Sequence, residues 1–170
     1  PKGEGYLFAL PEGYDYEKAN TDPTPVNQNL ALGKTASAPS SLGENGWFIS
    51  NVTDGKRFTE NSVNGWSTEK ADASFSVALM VDLGRVETVN RVDLYPAGNS
   101  LEYGATFPRS FSLDVSEDGK TWNTVKTVEG MDAPDAALSY AFNDTSARYV
   151  RLSITEMNAH SGKFSAALNE

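Results

Sequence analysis

Hydrophobic residues alternate with polar or small residues along several short stretches of the chain after residue 28. The longest such stretch places apolar side chains at Phe75, Val77, Leu79, Val81 and Leu83. Successive strand residues point to opposite faces, so this period of two predicts a strand with one buried face, closed by Gly84. The same reasoning predicts further strands around 89–95, 111–115, 122–125, 138–142, 149–154 and 164–168.

Turn signals separate these stretches. The sequence Glu117-Asp118-Gly119-Lys120 lies between two of them and predicts a hairpin turn resembling type I′. No segment keeps a helical period over eleven or more residues. Seven or eight short strands with turns between them predict an all-β sandwich or barrel.

Residues 1–28 have a different character from the rest. They are rich in Tyr, Gly and Pro and end in Thr21-Asp22-Pro23-Thr24-Pro25. Closely spaced prolines favour an extended backbone. We therefore interpret 1–28 as a linker or the edge of a neighbouring domain, and 29–170 as the β-sandwich module.

Composition narrows the possible functions. The chain has 170 residues, of which 39% are hydrophobic, enough for one domain with a hydrophobic core. Its net charge of -9 argues against nucleic acid and anionic membranes as partners, because like charges repel. The absence of cysteine excludes disulfides and thiolate catalysis.

Eight phrases carry more information than the alternation does. They occur in this order: 29–37 (NLALGKTAS), 50–55 (SNVTDG), 65–68 (GWST), 81–84 (VDLG), 89–92 (VNRV), 107–111 (FPRSF), 115–122 (VSEDGKTW) and 147–152 (ARYVRL). Together they resemble the coagulation factor V/VIII type C domain, also called discoidin. Among bacterial members, the chain is most similar to the family 32 carbohydrate-binding modules.

This resemblance implies an eight-stranded antiparallel jelly-roll β-sandwich with a structural calcium ion and no catalysis. It further implies a non-catalytic carbohydrate-binding module within a larger glycoside hydrolase, located outside a bacterial cell or on its surface. The module would be covalently linked to neighbouring domains, and its partner would be a glycan.

A calcium site is expected around Asp54-Gly55. Calcium takes six to eight oxygen ligands, many of them carbonyls of a tight loop. By resemblance, the ligands are the Asp54 side chain, the Thr59 hydroxyl and carbonyl, the carbonyls of Asn51 and Lys56, and the carboxylate of Glu170. The family often has Asn or Asp where this chain has Lys56, and a nearby ammonium weakens cation binding. The alternative is that Asp54-Gly55 is an ordinary turn.

Ligand binding is expected at loops at one end of the sandwich, where an aromatic face stacks on a sugar and polar groups bond its hydroxyls. The candidates lie in or beside three loops that correspond to binding faces of the family: Trp47, Asn99, Glu102, Tyr103, Arg109 and His160. Three of them have simpler interpretations. Trp47 is equally consistent with packing, a lone loop histidine such as His160 is usually only solvated, and for Arg109 a structural hydrogen bond is the favoured interpretation.

Other functions remain open. An adhesion module that binds membrane or protein would use the apolar Trp47-Phe48-Ile49, and a spacer domain would have no ligand. An enzyme is disfavoured, because the single His160 has no partner motif and the acidic residues Asp114 and Glu117 are expected to be solvated.

Overall fold

The alternating stretches form an antiparallel β-sandwich in the computed structural model, which describes residues 29–57, 65–97 and 104–170. The predicted linker 1–28 lies outside these residues. The described strands are β1 (Thr35–Ser37), β2 (Trp66–Ser67), β3 (Val77–Leu94), β4 (Pro108–Ser116), β5 (Asn123–Val128), β6 (Leu138–Met157), β7 (Ala159–His160), β8 (Lys163–Phe164) and β9 (Ala167–Leu168). The all-β prediction is confirmed, but the count of eight is not, since nine strands are described.

Five strands pair in the order β1-β3-β6-β4-β5. Every pairing is antiparallel, with Leu79 opposite Leu152 and Leu113 opposite Leu152 across the two sides of β6. These three leucines are buried, and they face the same core because directly opposite residues share a face of the sheet. The buried period-two pattern predicted for 75–83 is therefore present.

Two strands are much longer than predicted. Gly84 does not close its strand, because β3 continues to Leu94 through a register shift between Asp82 and Glu87, with Gly84 at φ +85°. β6 likewise joins the predicted strands 138–142 and 149–154. A bulge lets a strand bend without losing its partner, so the β3–β6 ladder persists on both sides of the irregularity.

The bent ladder supplies part of the second layer. The Tyr140 ring, in the first half of β6, meets the Phe111 ring of β4 edge to face with centroids 6.0 Å apart. Phe111 has Val128 and Ile154 as its sheet partners, so Tyr140 reaches it across the core. A bridge between Pro96 and Leu168 extends this layer to the β2–β9 pair.

The turn after β4 differs from the prediction. Residues 117–122 form a six-residue connection between β4 and β5, rather than a two-residue type I′ turn. The Asp118 carboxylate accepts hydrogen bonds from the amides of Lys120 and Thr121 and from the Ser116 hydroxyl. These bonds hold the pKa of Asp118 below its ordinary value, the Thr121 amide having the largest effect. The side chain thus stabilises the wider loop.

Helix is nearly absent from the described ranges. They contain the 3-10 helix Ile49–Thr53 and no helix with the length and apolarity needed to cross a membrane.

Candidate functional site

A tight hairpin precedes the 3-10 helix. Asn45 and Gly46 have φ of 52° and 88°, and the Trp47 amide donates to the Glu44 carbonyl at 2.8 Å. Two successive positive φ values define a type I′ turn, for which Asn-Gly is the preferred sequence. The amide of Gly43 donates back to the Trp47 carbonyl at 3.0 Å and closes the hairpin.

The hairpin leads directly to two adjacent aromatic residues. Trp47 is half-buried and bridges to Gly65, so packing accounts for part of its surface. Phe48 is 47% exposed, and among the described residues the only other exposed large hydrophobic side chain is Val86. Phe48 has extended backbone, and its carbonyl accepts from the Asn51 amide at 3.0 Å. An exposed ring is therefore held on an ordered backbone.

Phe48 was not among the predicted binding residues. The sequence signal that identifies it is Asn45-Gly46, because a type I′ turn fixes the path of the chain immediately before the ring. Alternation alone does not reveal it, since Trp47 and Phe48 are consecutive and both apolar.

Asn51 joins this hairpin to the rest of the domain. Its side-chain amide donates to the carbonyls of Gly46 at 2.8 Å and Gly65 at 3.1 Å. Gly65 lies close to the last strand, where an added Cβ would come within 2.4 Å of the Leu168 carbonyl oxygen. The aromatic hairpin is thus anchored to β2 and β9 through backbone contacts.

A second tight hairpin carries His160. Strands β7 and β8 are joined through Ser161 and Gly162, with φ of 51° and 74°, again the type I′ pattern. His160 is half-buried, and Lys163 opposite it forms an ion pair with Asp72.

Arg109 makes ion pairs near the start of β4. Its guanidinium lies 3.3 Å from Glu156 and 3.8 Å from Asp132, and its carbonyl accepts from the Met131 amide. These contacts link β4 to β6 and to the segment after β5. They support the structural interpretation of Arg109.

The predicted ligand residues are only partly described. Three of them lie in different elements: Trp47 precedes the 3-10 helix, Arg109 is in β4 and His160 is in β7. Asn99, Glu102 and Tyr103 lie outside the described residues. The ligand set as a whole stays a prediction.

The predicted calcium loop contains an Asx-type turn. The Asp54 carboxylate accepts from the Lys56 amide at 2.8 Å and lies 3.6 Å from the Lys56 ammonium. The Asn51 carbonyl accepts from the Asp54 amide at 3.3 Å. Thr59 lies outside the described residues. The turn expected as the alternative is therefore present, and it orients oxygen atoms of the predicted ligand set.

Glu170 closes the same region from the chain's other end. Its carboxylate lies 3.5 Å from the Arg57 Nε atom and accepts from the Asn29 side-chain amide at 3.3 Å. The side chains of Arg57 and Glu170 are only 5% and 8% exposed. The Arg57 guanidinium also lies over the Tyr95 ring, 4.7 Å from its centroid.

The donor chemistry of this region suits calcium. Carboxylates and carbonyls are the hard oxygen ligands that calcium prefers. Two carboxylates of the predicted set, Asp54 and Glu170, are described, and the described ranges contain no cluster of three or more Asp, Glu, His or Cys side chains that could hold a metal. Both carboxylates already contact a cation of the same loop.

Asp114 was predicted to be solvated, and this prediction is wrong. It is 3% exposed rather than solvated, whereas Glu117 is exposed as expected. Burial raises the pKa of Asp114, but hydrogen bonds from Thr124, Ser153 and Arg151 outweigh it and hold the pKa below 3.8. Arg151 in turn lies under the Trp122 ring, 3.8 Å from its centroid. Asp114 and the residues that contact it form a structural network on the outer face of the sheet.

Comparison with known proteins identifies the family. Residues 34–168 match the family model described as the F5/8 type C domain. The chain belongs to this family. No curated protein matches this chain in a direct sequence comparison.

Solved structures resemble this F5/8 type C domain closely in fold. Chitosan-binding module 1 of a chitosanase/glucanase from Paenibacillus sp. IK-5 is 28% identical, with a TM-score of 0.62 over 84% of this chain and 95% of that chain. The family 32 module of Clostridium perfringens NanJ, in complex with galactose, is 18% identical, with a TM-score of 0.63 over 81% of this chain and 90% of that chain. The predicted resemblance to family 32 modules is confirmed at the level of fold.

A third structure shares the same architecture. The lectin domain of lectinolysin, in complex with Lewis B antigen, is 24% identical, with a TM-score of 0.65 over 84% of this chain and 93% of that chain.

Proposed function

We propose that this F5/8 type C domain is a non-catalytic carbohydrate-binding module. Its 28% identity to a chitosan-binding module, over 84% of this chain and 95% of that module, supports this function. Structures of the same fold in complex with galactose and with GalNAc-β-1,3-galactose point in the same direction. The expected partner is a glycan, and the domain itself performs no reaction.

One observation within the chain carries the proposal. An ordered type I′ hairpin presents the exposed Phe48 ring beside the half-buried Trp47. An aromatic face stacks on the C–H surface of a sugar, and this fold presents its binding residues on loops. Covering the exposed Phe48 ring with a sugar would remove apolar surface from water, which favours binding at this position.

Weak sugar binding by a single module suggests that the domain works as part of a larger protein. One aromatic ring and a few hydrogen bonds give affinities on the order of mM to µM, about 4–8 kcal/mol. Covalent linkage to a glycoside hydrolase would make even this affinity useful, by raising the enzyme's effective concentration on its glycan. We therefore propose that the domain belongs to a bacterial glycoside hydrolase that is extracellular or attached to the cell surface.

A structural calcium ion is part of the proposal. Asp54, the carbonyls of Asn51 and Lys56, Thr59 and Glu170 would hold it, and it would supply a cross-link between an early loop and the C-terminal end of the domain. A ligand that binds only the folded state stabilises it by mass action. Chelation should therefore lower the melting temperature and added calcium should restore it. An unchanged melting temperature in both conditions would remove calcium from the proposal.

The binding proposal is tested by calorimetric titration with Phe48→Ala. The titrants are chitosan oligosaccharides, galactose, GalNAc-β-1,3-galactose and Lewis B tetrasaccharide, with calcium present. We expect binding to at least one of them, weakened about tenfold by the substitution, the equivalent of about 1.4 kcal/mol. Val86→Ala is the matched control, because Val86 is the other exposed large hydrophobic side chain in the described ranges.

The same variants separate carbohydrate binding from membrane adhesion. Both should melt at the native temperature, since each truncates an exposed side chain. Equal sugar affinity in native protein and Phe48→Ala would remove Phe48 from the site. Phe48-dependent sedimentation with anionic vesicles, without binding to any sugar, would replace the carbohydrate proposal with adhesion. The net charge of -9 opposes that result.

A further inference from the structure

Two cations of one loop contact the two described carboxylates of the proposed calcium site. Lys56 lies 3.6 Å from Asp54, and Arg57 lies 3.5 Å from Glu170. The two contacts differ in environment. The Lys56 side chain is 64% exposed, while the Arg57 side chain is 5% exposed. Water screens the first pair and is excluded from the second, so Arg57 is the cation with a strong influence on its carboxylate.

The position of Arg57 is fixed by the residues that hold the C-terminal segment. Its carbonyl accepts from the Asn169 side-chain amide at 3.1 Å, and its guanidinium packs on the Tyr95 ring. The Tyr95 amide donates to the Glu170 carbonyl, and the Asn169 amide donates to the Tyr95 carbonyl, both at 2.8 Å. Arg57 and Glu170 therefore belong to one packed unit rather than to a chance surface pair.

The charges of Arg57 and Glu170 determine how this region would interact with a calcium ion. A buried arginine–glutamate pair is neutral, and removing either partner leaves an uncompensated buried charge. A divalent cation at Glu170 would face a guanidinium that is already within 3.5 Å of that carboxylate. Two cations at the same carboxylate repel each other strongly where water is scarce. A calcium ion at Glu170 would therefore compete with Arg57, which faces the Oε2 atom of that carboxylate.

We infer that Arg57 is an internal counter-cation that competes with calcium for the Glu170 carboxylate. The pair keeps the early loop linked to the C-terminal end without metal, and it lowers the calcium affinity of the domain. This inference rests on the proposed calcium site. It concerns how this chain's own residues set the strength of that site.

The test is a calcium titration of the full chain by calorimetry, with melting temperatures measured in chelator and in calcium. Arg57→Gln removes the charge and keeps a polar side chain. We expect it to raise calcium affinity about tenfold and to lower the melting temperature in chelator. Arg91→Gln is the matched control, because Arg91 is an exposed arginine that pairs with Asp93. Lys56→Gln should change the affinity by less than about threefold, since an exposed ion pair is weak.

The outcomes are separable. Calcium binding to native protein with equal or weaker binding to Arg57→Gln overturns the competition and leaves the calcium site standing. Calcium binding to neither protein overturns both, and the sugar titrations then still decide the carbohydrate function. If Arg57→Gln does not fold, the side-chain Nε resonance of Arg57 in native protein replaces it. That signal should shift on calcium saturation while the Arg91 signal does not, and an unmoved Arg57 signal overturns the inference.

Discussion

Two carboxylate–arginine pairs of this domain are held by different parts of the fold. Asp114 and Arg151 are direct partners on neighbouring strands β4 and β6, with Arg151 Nη2 3.1 Å from the carboxylate. The hydroxyls of Thr124 and Ser153 each donate to the same carboxylate at 2.7 Å. Arg57 and Glu170 instead join an early loop to the chain's last residue, with 3.5 Å between their charged atoms.

Strand pairing positions the first pair, whereas the second pair depends on contacts between the side chains themselves. Backbone pairing brings Asp114 opposite Arg151 whether or not the ion pair forms. Strand pairing does not fix Arg57 relative to Glu170 in the same way, because Arg57 lies outside any strand. We expect the first pair to be structural and the second to respond to a cation.

The largest effect should come from Asp114→Asn. It leaves the half-buried Arg151 guanidinium without its counter-charge and disturbs the hydroxyls that donate to the carboxylate. We expect a loss of about 3 kcal/mol in the free energy of unfolding, measured by urea denaturation. Asp93→Asn is the control, because Asp93 pairs with the exposed Arg91, and it should cost less than about 1 kcal/mol. Equal losses in both variants would contradict a special role for the buried network.

Glu170→Gln should have a smaller effect on stability and a qualitative effect on the calcium response. It leaves the buried Arg57 without its counter-charge, but the Gln amide oxygen can still accept from the Asn29 side chain, so we expect a loss of about 1–2 kcal/mol in chelator. The rise in melting temperature on adding calcium should disappear. Persistence of that rise would show that calcium binds elsewhere, while its loss in Asp114→Asn as well would mean that the two regions are coupled.

The sequence predicted the antiparallel sandwich because alternation and the family phrases report the core directly. It did not predict that β3 and β6 would run through two layers, since Gly84 reads equally well as a strand end and as a bulge. Asp114 was misjudged because period two assigns it to the outward face, and only the structure shows Arg151 and Trp122 covering that face.

The candidate site was predicted less completely than the fold. Its calcium loop and Trp47 follow from the family phrases, whereas Phe48 depends on the exposure of one of two adjacent aromatic residues. Arg57 could not have been selected from the sequence, because its significance arises from burial beside Glu170, 113 positions away by their residue numbers. Such a contact is set by tertiary packing and leaves no local pattern.

The smallest effect should come from a third pair, which lies in the sheet like the first but is partly exposed. Arg148 donates to Asp82 at 2.8 and 2.9 Å, and this hydrogen bonding, followed by that from the Gly84 amide, lowers the pKa of Asp82 from 3.8 to about 2. A depressed pKa stabilises the folded state above pH 3.8, and the contribution is lost as pH falls toward 2. Asp82→Asn should therefore cost less than about 1 kcal/mol at pH 7. The difference from native protein should shrink as pH falls from 4 toward about 2, and salt should reduce it at pH 7. Urea denaturation at several pH values measures this difference, and a constant difference across that range would show that Asp82 stabilises the sheet through packing rather than through its charge.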